Sequence, residues 1–227
     1  MQWLSDLLML FFPVNCGVCG KRLAHTGGVL CLACEYKMPR TGFKNYTNNS
    51  VCRLFWGRVP VEMGTSLFRF EKGSSYQSLL HDLKYRGNRK AGFYLGHLLG
   101  NELIHTGYST CDFMVPVPLH QKRLRKRGYN QSEIIARGAS QVMGIPVVSN
   151  LLRRSGHQNS QTSMGRYERF ENVKDNFQLA RKPPDVNGKR ILLIDDVVTT
   201  GATLEACSLV LFRHFKCLVY IATVSCA

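Results

Sequence analysis

The sequence predicts an α/β protein with a mostly parallel sheet flanked by helices, preceded by a small cysteine-rich module. Strand and helix patterns alternate along most of the 227 residues, and this order builds parallel sheets. The apolar run 191–194 is typical of a strand buried on both faces, as parallel sheets require. Two Cys-x-x-Cys pairs near the amino terminus indicate the extra module. We place the module in residues 1–60 and the main domain in residues 61–227.

The elements of the main domain follow from apolar periodicity and from Gly, Pro and Asn signals at their ends. The predicted strands cover residues 65–70, 113–117, 145–148, 177–179, 191–194 and 217–224. The predicted helices cover residues 75–84, 90–105, 130–143, 164–172 and 203–214.

Composition indicates a globular protein that attracts anions. Hydrophobic residues make up 44% of the chain, which excludes a disordered protein. The formal net charge is +15, from 30 Lys and Arg against 15 Asp and Glu. Such an excess favours nucleic acid, anionic lipid or phosphorylated substrates as ligands, and charge alone does not choose among them.

Residues 3–14 form an apolar leader that we predict to be a helix docked on the rest of the protein. The stretch lacks a basic n-region, contains Asp6 and has no small-residue cleavage site, so it is not typical of a signal peptide. It is too short to span a bilayer, and weak membrane or partner contact is the alternative. We therefore expect no transmembrane segment and a cytoplasmic protein.

Four cysteines have the spacing of a structural zinc site: Cys16, Cys19, Cys31 and Cys34. Each Cys-x-x-Cys turn presents two thiolates, and two turns supply the soft tetrahedral set that Zn²⁺ prefers. A redox pair, a disulfide framework and an iron–sulfur cluster are the alternatives, and a cytosolic setting disfavours disulfides. The other five cysteines are predicted to be small core residues: Cys52, Cys111, Cys207, Cys217 and Cys226.

The most informative segment is 191–203, where the buried strand ends in Asp195 and Asp196 and a hydroxyl-rich turn follows. Ligands of open α/β sheets bind at the carboxyl ends of strands. Residues 199–203 place unpaired N–H groups at the start of the next helix, which favours an anion. Two acids beside a phosphate cradle suit a ligand with a diol and a phosphate, such as ribose 5-phosphate. The alternative is a buried strand with an acidic helix cap.

This segment resembles the binding signature for phosphoribosyl pyrophosphate (PRPP) in type I phosphoribosyltransferases. The resemblance implies that Asp195 and Asp196 are catalytic and hold the ribose hydroxyls, with Mg²⁺ entering together with PRPP. It also implies a loop that binds the ribose and its 5′-phosphate, formed by Val198, Thr199, Thr200, Gly201, Ala202 and Thr203.

Two basic regions have counterparts in this class. Residues 122–127 contain five cations after a predicted strand end, where the class uses a loop to bind pyrophosphate, and the resemblance therefore implies a loop here. The resemblance assigns pyrophosphate to Lys122, Arg123, Arg127 and Gly128, whereas a solvated or nucleic-acid-binding surface is the alternative. The second region corresponds to a mobile loop that closes over PRPP, with Gln161 and Arg169 in it and Arg166 as a catalytic residue. A basic surface hairpin is the alternative there.

The order of motifs along the chain is similar to that of the ComF/GntX family of competence-associated proteins. The cysteine pairs come first, followed by 83–87 (Leu-Lys-Tyr-Arg-Gly), 115–118 (Val-Pro-Val-Pro), 127–131 (Arg-Gly-Tyr-Asn-Gln) and the PRPP signature. The same residues also resemble those of glutamine PRPP amidotransferase. That enzyme requires a glutaminase domain with an N-terminal cysteine, whereas Met1 is followed here by Gln2 and a small module. We therefore expect no glutamine amidotransferase activity.

The resemblance leaves two functional hypotheses. The first is a phosphoribosyltransferase linked to DNA uptake in natural transformation, with an unknown acceptor. The second is a competence adaptor that binds single-stranded DNA, works with a helicase-like ATPase and keeps a regulatory or vestigial PRPP pocket. The basic regions and the aromatic residues Tyr46, Tyr85 and Tyr129 suit the second hypothesis, because bases stack on exposed rings.

Overall fold

The computed structural model describes residues 14–24, 28–71, 73–154 and 176–227. The strands are β1 (Met63–Arg69), β2 (Phe113–Pro116), β3 (Leu152–Arg154), β4 (Phe177–Leu179), β5 (Arg190–Val198) and β6 (Leu218–Cys226). The helices are α1 (Leu32–Tyr36), α2 (Ser50–Arg53), α3 (Gln77–Tyr85), α4 (Arg89–Leu103), α5 (Gln121–Arg127), α6 (Gln131–Met143) and α7 (Ala202–His214), with a 3₁₀ turn over Gly107–Thr110.

The main sheet is parallel throughout, with strand order β1-β6-β5-β2. Strand β5 therefore lies inside the sheet, paired with β2 on one side and with β6 on the other. Strands β3 and β4 form a separate antiparallel pair. The predicted α/β class with a mostly parallel sheet is confirmed.

Side chains of β5 alternate between two apolar layers. Leu192 and Ile194 pack in the layer that contains α4 and α6, whereas Ile191 and Leu193 pack in the layer that contains α7. All four are fully buried, and each such side chain contributes about 1.5–3 kcal/mol through burial. The two apolar layers thus hold β5 from both faces, which fixes the position of the two carboxylates at its end.

Helices α4 and α6 pack unusually closely because glycines lie at their contact. A Cβ atom on Gly96 would lie 2.0 Å from the Ile135 carbonyl oxygen, and one on Gly138 would lie 2.1 Å from that of Phe93. Only a residue without a side chain allows the two backbones to approach so far. The contact fixes α6, whose first turn faces the carboxyl end of β5.

The basic segment that we expected to be a loop is instead helix α5. Lys, Arg and Leu are good helix formers, so the local propensity supports a helix over these residues. His120 caps the helix by accepting a hydrogen bond from the Lys122 N–H at Nδ1 (3.1 Å). Burial and the positive charge of Arg154 lower the pKa of His120, which keeps this nitrogen an acceptor. Gly128 ends the helix in the left-handed conformation (φ 75°).

Two further elements differ from prediction. The strand predicted over residues 145–148 is reduced to one bridge, in which Val147 pairs in parallel with Met114. It lies beside β2 at the edge of the sheet, where Pro146 has no N–H to extend the ladder. Strand β3 was not predicted, because its residues open a polar, basic region. The predicted leader helix and the predicted helix over 164–172 lie outside the described residues, apart from Val14.

Across the described ranges, no helix combines the length and apolar character that crossing a membrane requires.

Candidate functional site

Asp195 and Asp196 lie near the carboxyl end of β5, and both are held by neighbouring helices. Asp195 Oδ1 accepts hydrogen bonds from Ser132 Oγ in α6 (2.8 Å) and from the Asp196 N–H (2.9 Å). Asp196 is 8% exposed, and its Oδ2 lies 3.1 Å from Lys84 Nζ in α3. Gln131 in α6 also points its Nε2 at this oxygen, at 3.5 Å. The two acids therefore have fixed, different surroundings.

These surroundings raise the pKa of Asp195. Burial is the main cause, and the negative charge of Asp196 adds to it, so that the pKa rises from 3.8 to about 7. The hydrogen bonds from Ser132 and from the Asp196 N–H, and the charge of Lys84, act in the opposite direction. A cation or hydrogen-bond donors beside Asp195 would therefore stabilise its ionised form and lower its pKa.

This raised pKa predicts that Asp195→Asn stabilises the ligand-free protein at high pH. An acid with a raised folded-state pKa binds more protons in the folded state, so its ionisation costs stability as pH rises from about 4 to 7. The cost is fully present above pH 7, and asparagine lacks it while still accepting both hydrogen bonds at Oδ1. We expect a gain on the order of 2 kcal/mol at pH 8 that disappears near pH 4.

Urea unfolding of both proteins between pH 4 and pH 8 measures this gain. A difference that does not change with pH would contradict the raised pKa.

The loop after β5 forms a small cradle at the start of α7. Residues 197–204 and Asp195 surround a cavity of about 60 Å³. Gly201 precedes the helix with φ 77°, a conformation that favours glycine, and a Cβ there would lie 3.0 Å from the ring of Phe55. The first N–H groups of this 13-residue helix thus face a cavity of a size and polarity suited to a phosphate group.

Arg58 braces this cradle from the segment ahead of β1. Its Nη1 donates hydrogen bonds to the carbonyl oxygens of Thr200 (3.0 Å) and Leu54 (2.8 Å). Its Nη2 forms an ion pair with Glu205 in the first turn of α7. The brace ties residues 54–58 to the loop and fixes the shape of the cradle.

A larger cavity of about 320 Å³ joins the acids to the cradle. It carries four cationic side chains against two carboxylates, so its charge favours an anion. Its lining residues are Lys84, Tyr85, Val117, Pro118, Leu119, Arg123, Arg127, Asn130, Gln131, Ser132, Arg154, Asp195, Asp196, Val197, Thr199 and Thr203. A ligand with a phosphate at one end and a second anionic group at the other would meet complementary groups at both ends.

The structure places only part of the predicted pyrophosphate set in this cavity. Arg123 and Arg127 line it, one turn apart on α5, whereas Lys122 is exposed elsewhere on that helix. Gly128 serves as the helix end, and its carbonyl oxygen accepts a hydrogen bond from Arg89 (3.2 Å). Both differences follow from the helical form of the segment, which turns successive side chains to different sides.

Several lining residues were not predicted as site residues. Lys84 and Gln131 belong to segments that carry the family resemblance, and Ser132 directly follows one. The resemblance pointed to these segments but assigned no binding role to the three residues. Arg154 had no sequence signal; its guanidinium packs 5.1 Å from the ring of Phe177 in β4. The predicted loop residues Gln161, Arg166 and Arg169 lie outside the described residues.

Of the three tyrosines predicted as stacking platforms, only Tyr85 is substantially exposed. Its side chain is 67% exposed. Tyr129 is 8% exposed and donates a hydrogen bond to the Leu83 carbonyl oxygen. Tyr46 packs edge-on against Tyr108, with ring centroids 5.4 Å apart. The expectation that Tyr46 and Tyr129 are exposed was wrong, because both rings are used in packing.

The four predicted zinc ligands come together in one cluster. The Sγ atoms of Cys16, Cys19, Cys31 and Cys34 all lie within 4.8 Å of one another, and those of Cys19 and Cys31 are 3.7 Å apart. Tetrahedral Zn²⁺ with Zn–S bonds of about 2.3 Å requires sulfurs about 3.8 Å apart, so the cluster fits this ion. The other five cysteines are buried, as predicted.

The pKa values in the cluster also suit a cation. Burial would raise the pKa of Cys16, but backbone hydrogen bonds from Cys19, Cys31 and Val18 outweigh it and lower the pKa to about 6. Burial and the neighbouring thiols raise the pKa of Cys34. Four thiolates this close repel one another unless a cation offsets their charge.

The cysteine module rests on α3 and α4. Tyr76 Oη donates a hydrogen bond to the Cys34 carbonyl oxygen (2.6 Å), and Ser78 Oγ donates one to that of Gly17 (2.7 Å). Tyr94 in α4 donates to a carboxylate oxygen of Glu35. Helix α3 therefore contacts both cysteine turns at its start and carries Lys84 near its end.

Comparison with known proteins identifies related sequences. The family model described as phosphoribosyl transferase domain matches residues 129–226. Competence protein F of Haemophilus influenzae is 36% identical over 95 residues, 42% of each chain. DNA utilization protein YhgH of Escherichia coli K12 is 31% identical over 140 residues, 60% of each chain. YhgH of Salmonella typhimurium is 29% identical over 218 residues, 91% of this chain and 94% of that protein. The chain thus aligns with 42% to 60% of the length of the first two of these relatives.

Among solved structures, the chain is similar to glutamine PRPP amidotransferase from Bacillus subtilis complexed with ADP and GMP. The sequence identity is 20%, the TM-score is 0.41, and the match covers 60% of this chain and 26% of that one.

Proposed function

We propose that this chain is a ComF-family protein and that its phosphoribosyltransferase domain binds Mg²⁺–PRPP and transfers the phosphoribosyl group to an acceptor. One observation carries the proposal. Two fixed carboxylates, an anion cradle at a helix start and a group of cations line two adjoining cavities. No glutamine amidotransferase step is part of the proposal.

The ribose and its phosphate occupy the β5 end of the cavity in this proposal. Asp195 and Asp196 accept hydrogen bonds from the 2′- and 3′-hydroxyls, and charged acceptors make such bonds strong. The N–H groups and hydroxyls of residues 199–203 hold the 5′-phosphate. The carboxylates are also the oxygen ligands that Mg²⁺ prefers, and the ion would offset the charge of the pyrophosphate.

Pyrophosphate extends towards α5 in the same arrangement. Arg123 and Arg127 hold it, because a guanidinium can grip two phosphate oxygens at once. Pyrophosphate leaves with the electron pair of its bond to C1, and a lone pair of the acceptor forms the new bond. Catalysis then rests on orientation and on stabilisation of charge. We assign closure over PRPP to the loop that contains Gln161, Arg166 and Arg169, and a catalytic role to Arg166.

Calorimetric titration of PRPP with Mg²⁺ tests the proposal. The Asp195→Asn, Asp196→Asn variant should lose about 100-fold or more in affinity, since each charged hydrogen bond is worth about 1.5–3 kcal/mol. The matched control is Asp112→Asn, Asp185→Asn, which changes charge equally ahead of β2 and β5, away from the cavity. Equal binding by wild type and the first variant, or no binding by folded wild type, contradicts the proposal.

The second candidate function is binding of single-stranded DNA in the cytoplasm, in natural transformation and with a helicase-like ATPase. The exposed ring of Tyr85 beside Arg127 and the formal charge of +15 support it. The names of the relatives, competence protein and DNA utilization protein, point the same way. Salt separates the two candidates, because DNA affinity falls steeply with salt concentration. Binding of PRPP depends instead on the two acids.

A further inference from the structure

A second cavity of about 430 Å³ adjoins the ribose cavity on the α5 side. Lys84, Tyr85, Arg123 and Arg127 line both cavities, and Lys126 and Tyr129 line only the second. A molecule in the second cavity would therefore lie directly beside PRPP bound in the first. An acceptor must also lie beside PRPP, because its reacting atom must approach C1 of the ribose.

The ionised side chains of this second cavity all have the same sign. Lys84, Arg123, Lys126 and Arg127 line it, and no carboxylate does so among the described residues. Arg127 Nη1 is buried and has no hydrogen-bond partner among those residues. Arg123 and Arg127 also face the proposed pyrophosphate, whereas Lys126 faces only the second cavity. A negative group on the occupant would pair with Lys126.

The cavity also has a flat aromatic wall. The ring of Tyr85 is 67% exposed, with the Arg127 guanidinium 5.3 Å from its centroid and the His81 ring 4.8 Å away. Tyr129 is fixed by its hydrogen bond to Leu83 and by the Arg89 guanidinium, 4.9 Å from its centroid. An exposed ring held by neighbours offers a stacking surface at little entropic cost.

We infer that this cavity selects the acceptor and that the acceptor is a heteroaromatic acid, a planar ring that carries a carboxylate and a nitrogen whose lone pair forms the bond to C1. The inference rests on the proposed function for the role of acceptor. The ring stacks on Tyr85, and the carboxylate pairs with Lys126, which lines only the second cavity. The neutral relative of such an acid lacks the charged contact and is rejected, because Lys126 then stays unpaired.

Two matched pairs of probes test the inference by calorimetry on the zinc-loaded full chain. Orotate is compared with uracil, and nicotinate with nicotinamide; within each pair the rings match and only one member is negatively charged. None of the four carries a ribose or a phosphate, so the cradle after β5 cannot hold them. We expect each acid to bind at least tenfold more tightly than its neutral partner.

Four variants locate the site. Tyr85→Leu should weaken binding of the acids about tenfold, because the stacking surface is lost. Tyr36→Leu is the control and should leave binding unchanged, because Tyr36 is exposed but lies outside the cavity. Lys126→Gln should weaken it by a similar factor, and Arg125→Gln, the same charge change on the exposed side of α5, should not. Equal binding within each pair of probes, no binding of any probe, or equal effects of Lys126→Gln and Arg125→Gln overturns the inference.

Two further measurements distinguish this inference from the proposed PRPP binding and from a simple anion site. The Asp195→Asn, Asp196→Asn variant should retain binding of the acids, so failure of PRPP binding and failure of acid binding are distinguished. Inorganic pyrophosphate serves as the test of a simple anion site. If it displaces the acids and Tyr85→Leu leaves their affinity unchanged, the cavity holds anions without regard to a ring, and the inference is wrong.

Discussion

Gly138→Ala is expected to lower the free energy of unfolding by about 2 kcal/mol, although alanine is the better helix former. The added Cβ would lie 2.1 Å from the Phe93 carbonyl oxygen, a backbone atom that moves only if α4 and α6 separate. Overpacking of this kind typically costs about 1–3 kcal/mol and sometimes more. The gain in helix propensity, about 1 kcal/mol, offsets only part of it.

Urea unfolding followed by circular dichroism measures the loss. Gly96→Ala places its Cβ 2.0 Å from the Ile135 carbonyl oxygen and should behave alike, since it lies on the other side of the same contact. Gln141→Ala, an exposed position on α6, is the control and should change stability by less than about 0.5 kcal/mol. A neutral or stabilising Gly138→Ala would show that the helices do not approach as closely as described.

The same contact bears on the site. Helix α6 begins at Gln131 and Ser132, and Ser132 Oγ holds Asp195 at 2.8 Å. A shift of α6 by the ångström that an extra methyl group demands would stretch this hydrogen bond beyond its useful range. The glycines of the helix contact are therefore part of what positions the carboxylate, even though none of them lines the cavity.

The parts of the site that sequence predicted are those built from local segments. Strand β5, its two acids, the turn after it and the cysteine turns each depend on residues close together in the chain, where periodicity and spacing carry information. Strand β5 is five residues longer than predicted, because its pairing with β6 runs from Arg190 to Val198. The class of fold followed from the alternation of such segments.

What sequence could not predict depends on pairs far apart in the chain. Arg58 and Thr200 are separated by 142 positions, and nothing in either segment indicates the other. Lys84 reaches Asp196 only because α3 packs across the end of the sheet. The helical form of α5 could have been predicted from the sequence, because His120 and Gly128 are suitable residues at the two ends of a helix. The resemblance, in which this place is a pyrophosphate-binding loop, led us to predict a loop instead.

Helix α3 connects the cysteine module to the cavity, and this connection predicts a role for the module beyond local stability. The helix contacts Gly17 and Cys34, one from each cysteine turn, through Ser78 and Tyr76 at its start. Lys84 lies near its end and pairs with Asp196. Because a nine-residue helix moves largely as a unit, loss of contacts at one end displaces the charge at the other.

Removal of zinc is therefore expected to lower both stability and PRPP affinity. The module offers little apolar core of its own, and structural zinc contributes roughly 10–16 kcal/mol of binding free energy to such folds. We expect the chelated protein to lose ordered structure around the four cysteines and to unfold at a midpoint at least about 10 °C lower. Its affinity for PRPP should fall several-fold, because α3 loses its support.

The variant Tyr76→Phe, Ser78→Ala separates the two consequences. It keeps all four thiolates, so it should bind zinc as the wild type does, yet it removes both hydrogen bonds between α3 and the module. A several-fold loss of PRPP affinity with zinc content unchanged would show that support of α3 positions Lys84. Unchanged PRPP affinity in both the chelated protein and this variant would contradict the connection, and the module would then serve stability alone.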